Sequence, residues 1–100
     1  MQVALTVWEG RISPLFDSTR KLLVADIKGK KISTKQYIAL ECDSPFSRAA
    51  RLGDLGVGIL ICGGISSDFA SLIEAQGIRI IPFATGTVEE VLENYINNNL

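Results

Sequence analysis

Residues 57–73 read VGILICGGISSDFASLI, and their order decides the fold. Val57–Cys62 is apolar throughout, without the alternation of a half-exposed strand, so it reads as a strand covered on both faces. Gly63-Gly64 turns the chain at once. Ser66, Ser67 and Asp68 then offer caps for a helix. On that helix Phe69, Leu72 and Ile73 share one face, while Ser71 and Glu74 point away. Gly77 stops it, in the position past the last turn that glycine fills best. A buried strand, a glycine turn and an amphipathic helix make a βα unit, the building block of a layered α/β domain.

The pattern repeats outward. Ile78-Arg79-Ile80-Ile81 is a strand closed by Pro82, and Thr87 with Glu90 forms a capping box for a last helix striped by Val88, Val91, Leu92 and Tyr95. Upstream, Ser44-Pro45 is a cap followed by proline at the first helical position, opening a short helix that carries Phe46, Ala49, Ala50 and Leu52 and ends near Gly53 or Gly56. Val3–Trp8 is another strand apolar on both sides. Glu9-Gly10-Arg11 reads as a turn. Lys21–Lys28 and Lys31–Ala39, joined at Gly29, form a hairpin whose lysines and hydroxyls suit an exposed edge. The predicted order is β-β-β-α-β-α-β-α. It implies an α/β fold with a mixed five-stranded sheet, helices on both faces and two right-handed crossovers, with Val3–Trp8 and Val57–Cys62 parallel neighbours at the centre.

Composition bounds the function. The 100 residues suit one domain, 1–100, and 47% apolar with 21% charged residues excludes disorder. No apolar run approaches the ~20 residues of a membrane span. The start, MQVALTVWEGR, lacks the basic region of a signal peptide, so a cytoplasmic protein is expected. Ten basic against eleven acidic residues, a net charge of −1, argue against nucleic acid as partner. With no histidine in the chain, His-based acid–base catalysis, His metal ligation and Ser-His or Cys-His nucleophiles are excluded. Cys42 and Cys62 form no CxxC and are expected as reduced thiols rather than a disulfide. Asp17 and Asp26 are too scattered for two-metal chemistry and are expected on the solvated surface.

In an open α/β sheet ligands bind beyond the carboxyl ends of the parallel strands. Three loops are expected there: Glu9–Ser13, Gly63–Ser67 and Phe83–Thr87. Two lead into helix N-termini, whose free N–H groups attract anions, and Arg11 adds positive charge, with Arg20 a further candidate. The plainer reading is that these glycines only turn the chain. Neither GxGxxG nor GxxxxGK[ST] is present, which argues against a nucleotide site. Cys62, at the end of a central strand, reads either as a soft metal or sulfide ligand or as a small core residue. Cys42, between Glu41 and Asp43, is the weaker candidate because neighbouring carboxylates disfavour a thiolate.

Three segments together carry a resemblance: EGRISPLFD at 9–17, LICGGI at 60–65 and ATGTVEEVLENYI at 84–96. The chain resembles the dinitrogenase iron–molybdenum cofactor biosynthesis family, the domain of NifX and of the NifB C-terminus, over nearly its whole length. The resemblance implies a ribonuclease-H-like three-layer fold. It further implies a non-catalytic protein that binds, carries or delivers a metal–sulfur cluster or precursor containing iron, molybdenum or copper, with a cofactor-assembly protein as partner. The implied site comprises Gly10, Arg11, Ser13, Cys62, Gly63, Gly64, Thr85, Gly86 and Thr87, with Cys62 as metal ligand. Many relatives read S-x-H-F-G in the first loop. Here Leu15 stands where the histidine would be, and Asp17 replaces the glycine. A leucine cannot ligate metal, so the rival reading is an interaction or regulatory module that has lost its metal site. A small enzyme acting on phosphorylated or carboxylated ligands is a third, opposed by the missing histidine.

Overall fold

The computed structural model describes residues 1–41 and 44–98. Cys42 lies outside them. The strands are β1 (Gln2–Trp8), β2 (Arg11–Ile12), β3 (Lys21–Lys28), β4 (Lys31–Ala39), β5 (Val57–Ile61) and β6 (Arg79–Ile81), and the helices are α1 (Pro45–Asp54), α2 (Ser67–Ala75) and α3 (Val88–Ile96). The sheet runs β4-β3-β1-β5-β6, with β2 attached to the end of β1. β1 pairs antiparallel with β3 and parallel with β5, and β5 is parallel to β6. The central parallel pair is therefore the one the sequence predicts. The sheet has six strands rather than five, because the chain after Trp8 reverses into a two-residue strand.

The continuous apolar runs of β1 and β5 follow from burial on both faces. On one face Ala4, Leu22, Val24 and Leu60 pack with Ala49 and Leu52 of α1 and Phe69 and Ile73 of α2. On the other Val3, Leu5, Val7, Leu23 and Ile61 pack with Val88, Val91 and Leu92 of α3. Two helices, a sheet and one helix thus make three layers.

The helices begin where their caps predict. Ser44 Oγ accepts from the Ser47 amide at 3.0 Å with Pro45 at the first position of α1. Thr87 Oγ1 accepts from the Glu90 amide at 3.2 Å. Gly77, at φ +81°, follows the end of α2. β4 is exposed along its length except at the half-buried Ile38, an uncovered edge guarded by Lys31 and Lys35.

Candidate functional site

The three loops do meet at the carboxyl ends of β1, β5 and β6, and main-chain hydrogen bonds tie each to the other two. The first begins with Glu9 at φ +51° and Gly10 at φ +78°, a two-residue reversal of the hand that matches strand twist. It places Arg11 opposite Trp8 and returns the Ser13 amide to Thr6 O at 3.1 Å. The Ile12 amide donates to Gly86 O at 2.9 Å and the Val88 amide to Gly10 O at 3.1 Å, joining the first loop to the third. The Gly64 amide donates to Pro14 O, and the Phe16 amide to Gly64 O, both at 2.8 Å, joining the first to the second. The Phe83 amide donates to Gly63 O at 3.0 Å and the Ala84 amide to Cys62 O at 2.9 Å, closing the triangle.

This stitching changes the reading of several residues. A Cβ on Gly63 would stand 2.5 Å from Ser13 O and 2.6 Å from Pro14 O, so this glycine makes room for the first loop rather than for a ligand. Gly10 and Gly86, at φ +116°, serve the turns themselves. At the start of α3 the amides of Val88 and Glu90 are taken by Gly10 O and Thr87 Oγ1. At the start of α2 the chain supplies its own anion: Asp17 Oδ1 accepts from the Ser66 amide at 3.1 Å. Asp17, expected on the solvated surface, is half-buried in this role. Arg11 and Thr85 are exposed beside the loops, while Thr87 is half-buried and Ser13 buried.

Cys62 is a free thiol with 0% exposure, in the same core cluster as Phe16, Phe69 and Ile73. Burial pushes it from 9.0 up to about 11, because a thiolate there would forgo its hydration. Of the two readings of Cys62, ligand or small core residue, its burial agrees with the second. Among the described residues no three His, Cys, Asp or Glu side chains gather to hold a metal. A metal held by several side chains does not fit the donor set of the described residues.

Two hollows adjoin the first loop. One hollow, of about 390 Å³, is lined by Trp8, Ser13, Pro14, Leu15 and Ser18. A second, of about 360 Å³, shares Trp8, Ser13 and Ser18 and adds Glu9, Thr19, Arg20 and Lys21. Trp8 is 59% exposed, Leu15 42% and Phe83, at φ +63° in the third loop, 79%.

From below, Arg48 holds the single 3₁₀ turn Phe16–Ser18 in place. Its Nη1 donates to Thr19 O at 2.7 Å and Phe16 O at 3.2 Å. Its guanidinium lies 5.7 and 5.9 Å from the ring centroids of Phe16 and Phe69, which meet edge to face. Sequence reasoning missed Arg48 and Trp8. The available signals were an arginine on the same face of α1 as Ala49 and Leu52, and a tryptophan at the last position of a central strand.

With this geometry in view, comparison with known proteins is informative. The model of the family described as dinitrogenase iron–molybdenum cofactor matches residues 1–98. The chain belongs to that family. An uncharacterised protein of Methanocaldococcus jannaschii is 22% identical over 105 residues, covering 100% of this chain and 89% of the relative. The crystal structure of PH0822 superposes with a TM-score of 0.94 at 19% identity, covering 100% of this chain and 92% of the other. The apo form of the orange protein from Desulfovibrio gigas gives 0.82 at 19% identity, covering 98% and 88%. At these identities the likeness is one of fold. Membership relates this iron–molybdenum-cofactor family protein to dinitrogenase cofactor chemistry, and none of its described helices is long and apolar enough to cross a membrane.

Proposed function

We propose that this cofactor-family protein is a non-catalytic cytoplasmic binder and carrier of a metal–sulfur cluster or cluster precursor, which it passes to a cofactor-assembly protein. The cargo arrives with its own sulfide ligands and is held without protein–metal bonds. The observation that carries this reading is the hollow around Trp8 and Leu15, set on a frame of three hydrogen-bonded loops. Polarisable sulfide suits the apolar walls of Trp8, Pro14 and Leu15, while the Ser13 and Ser18 hydroxyls supply donors. Gly10, Gly63, Gly64, Gly86 and Thr87 act as frame, Arg11 and Thr85 flank the cargo from the exposed rim, and Cys62 supports the floor. The missing histidine, and the lack of a clustered set of carboxylates among the described residues, support the non-catalytic reading.

The test is anaerobic titration with tetrathiomolybdate, alone and with copper(I) or iron(II), read by visible absorption after removal of free ligand. Retention at a fixed stoichiometry is expected. Leu15→His should tighten it by adding a nitrogen donor at the hollow, and Cys62→Ala should leave it unchanged if the variant folds. A folded protein that retains no metal–sulfur species, with or without the new histidine, overturns the proposal. That result favours the interaction-module reading, for which exposed Trp8 and Phe83 are the specific support.

A further inference from the structure

The charges of this chain are unevenly placed. Residues 21–39, the hairpin of β3 and β4, hold five lysines against the single acid Asp26, a net charge of +4. The other five basic and ten acidic residues make the rest of the chain −5. Asp26 is engaged by the Met1 ammonium at 3.2 Å, while all five lysines are exposed.

These lysines flank an open ladder. β4 ends the sheet and has β3 as its one partner among the described residues. Asp26 faces Thr34 and Ile27 faces Ile32, so Ser33 is the extra residue of a bulge. Beyond it, residues 34–39 pair regularly. The Leu40 amide donates to Arg20 O, which sets the phase of the antiparallel ladder, and Thr34, Gln36 and Ile38 therefore bond inward to β3. Lys35, Tyr37 and Ala39 turn their N–H and C=O groups outward. The side chains of Lys35 and Tyr37 stand on the α3 side, opposite Ala25 and Leu23. A hollow of about 270 Å³ lies there between the strand and α3, with Ile32, Leu92 and Ile96 as apolar walls among Lys35, Glu89 and Glu93. Tyr37 is 55% exposed and Ile32 39%.

A cationic surface alone suits any polyanion. A free row of main-chain donors and acceptors beside apolar side chains is matched by another extended polypeptide. A second copy of this chain is disfavoured, since pairing edge to edge would set +4 against +4. We propose that the outer edge of β4 receives an acidic extended segment of a partner protein, which adds to the sheet as a further strand. On the α3 side that segment carries an acid opposite Lys35 and an apolar residue two positions away on each side, one against Tyr37 and one over the hollow at Ile32. The site needs no cargo, so it goes beyond the carrier reading and does not depend on it.

The probe is the end-blocked, fluorescein-labelled peptide ETVTETVTE, titrated into the full chain without any metal or sulfide and followed by anisotropy. One peptide per chain is expected, with affinity falling as salt rises. Hydrogen exchange at the outward amides of Lys35 and Tyr37 should slow when it binds. Lys35→Glu should weaken binding about tenfold, since an opposed pair is lost and a like-charged pair made. A peptide with lysine for the central glutamate should restore it. Arg79→Glu, the same change of charge at an exposed position on the other edge strand, β6, should not weaken it. Two further peptides are methylated at alternate backbone nitrogens, one in each phase, and the one whose inward donors are blocked should lose binding. Binding by both methylated peptides as tight as by the parent, or unchanged exchange at Lys35 and Tyr37, is the behaviour of a general polyanion surface and overturns strand addition. A parent peptide that does not bind the folded protein overturns the site.

Discussion

Gly63→Ala tests whether the loop frame is what the hydrogen bonds say it is. Gly63 does not adopt a positive φ, so alanine meets no backbone strain at this position. What it meets is the first loop: the new methyl would lie 2.5 Å from Ser13 O, 2.6 Å from Pro14 O and 2.9 Å from the Pro14 carbonyl carbon. All three are main-chain atoms. Relief to an ordinary contact therefore requires the two loops to separate by roughly 1 Å, which overpacks a dense region at a cost of about 1–3 kcal/mol. The same separation stretches the two 2.8 Å bonds between Gly64 and the first loop, each worth about 1 kcal/mol net. With the bonds stretched rather than broken, about half of that is lost, and the sum with the middle of the packing range is about 3 kcal/mol. For a domain of this size that lowers the melting temperature by about 12–24 °C. Gly64→Ala is the control, because its Cβ would meet Pro14 O at 3.4 Å and Leu15 Cδ1 at 3.5 Å, and should cost under about 1 kcal/mol. Thermal and urea unfolding followed by circular dichroism measure both. Equal melting temperatures for the two variants, or Gly63→Ala within about 3 °C of wild type, would refute the packing argument.

The Cys62 thiol should resist iodoacetamide in the native state at pH 8 and react fully in urea; rapid native labelling would contradict its burial. Because the folded thiol holds its proton to about pH 11 and the unfolded one only to about 9, its contribution to stability is complete below pH 9. As pH rises from 9 to 11 that contribution falls by roughly 2–3 kcal/mol, a slope that urea titrations should find missing in Cys62→Val. Asp17→Ala should lower stability by about 1–2 kcal/mol through loss of the bond to the Ser66 amide, and hydrogen exchange at Ser66 should accelerate. Arg48→Met, which withdraws the donor from Phe16 O and Thr19 O, should cost about 3 kcal/mol and loosen residues 16–19 before the rest of the chain, as read by native-state exchange.

The central architecture was legible because β1 and β5 are apolar on both faces and the caps at Ser44, Ser66 and Thr87 mark helix starts. β2 was not, since a two-residue strand has no periodicity to read. Its turn also uses Glu9-Gly10 in place of the Asn-Gly or Asp-Gly pair that announces such a reversal. The meeting of the three loops followed from strand direction alone. Their chemistry did not. Gly63-Gly64 looks the same in a sequence whether a ligand or a neighbouring loop needs the space. Cys62 ends a strand, and which face its side chain takes is decided by the pleat: it shares the α1 and α2 side with Leu60. Asp17 and Arg48 act across 49 and up to 32 residues of sequence, beyond the reach of any local pattern.

The main-chain stitching of the three loops bears on how such a protein diverges. The hydrogen bonds that hold the frame run between amides and carbonyls of residues 10–16, 62–64 and 81–88, so they are indifferent to most side chains they carry. Only where a Cβ would collide or a positive φ is needed does the frame constrain residue type. Positions such as Arg11, Leu15 and Thr85 are free of that constraint and stand at the rim. A lineage can therefore exchange the groups that greet a ligand while inheriting the scaffold unchanged. The glycines at collision and positive-φ positions are fixed by the scaffold, and the residues between them are open to change.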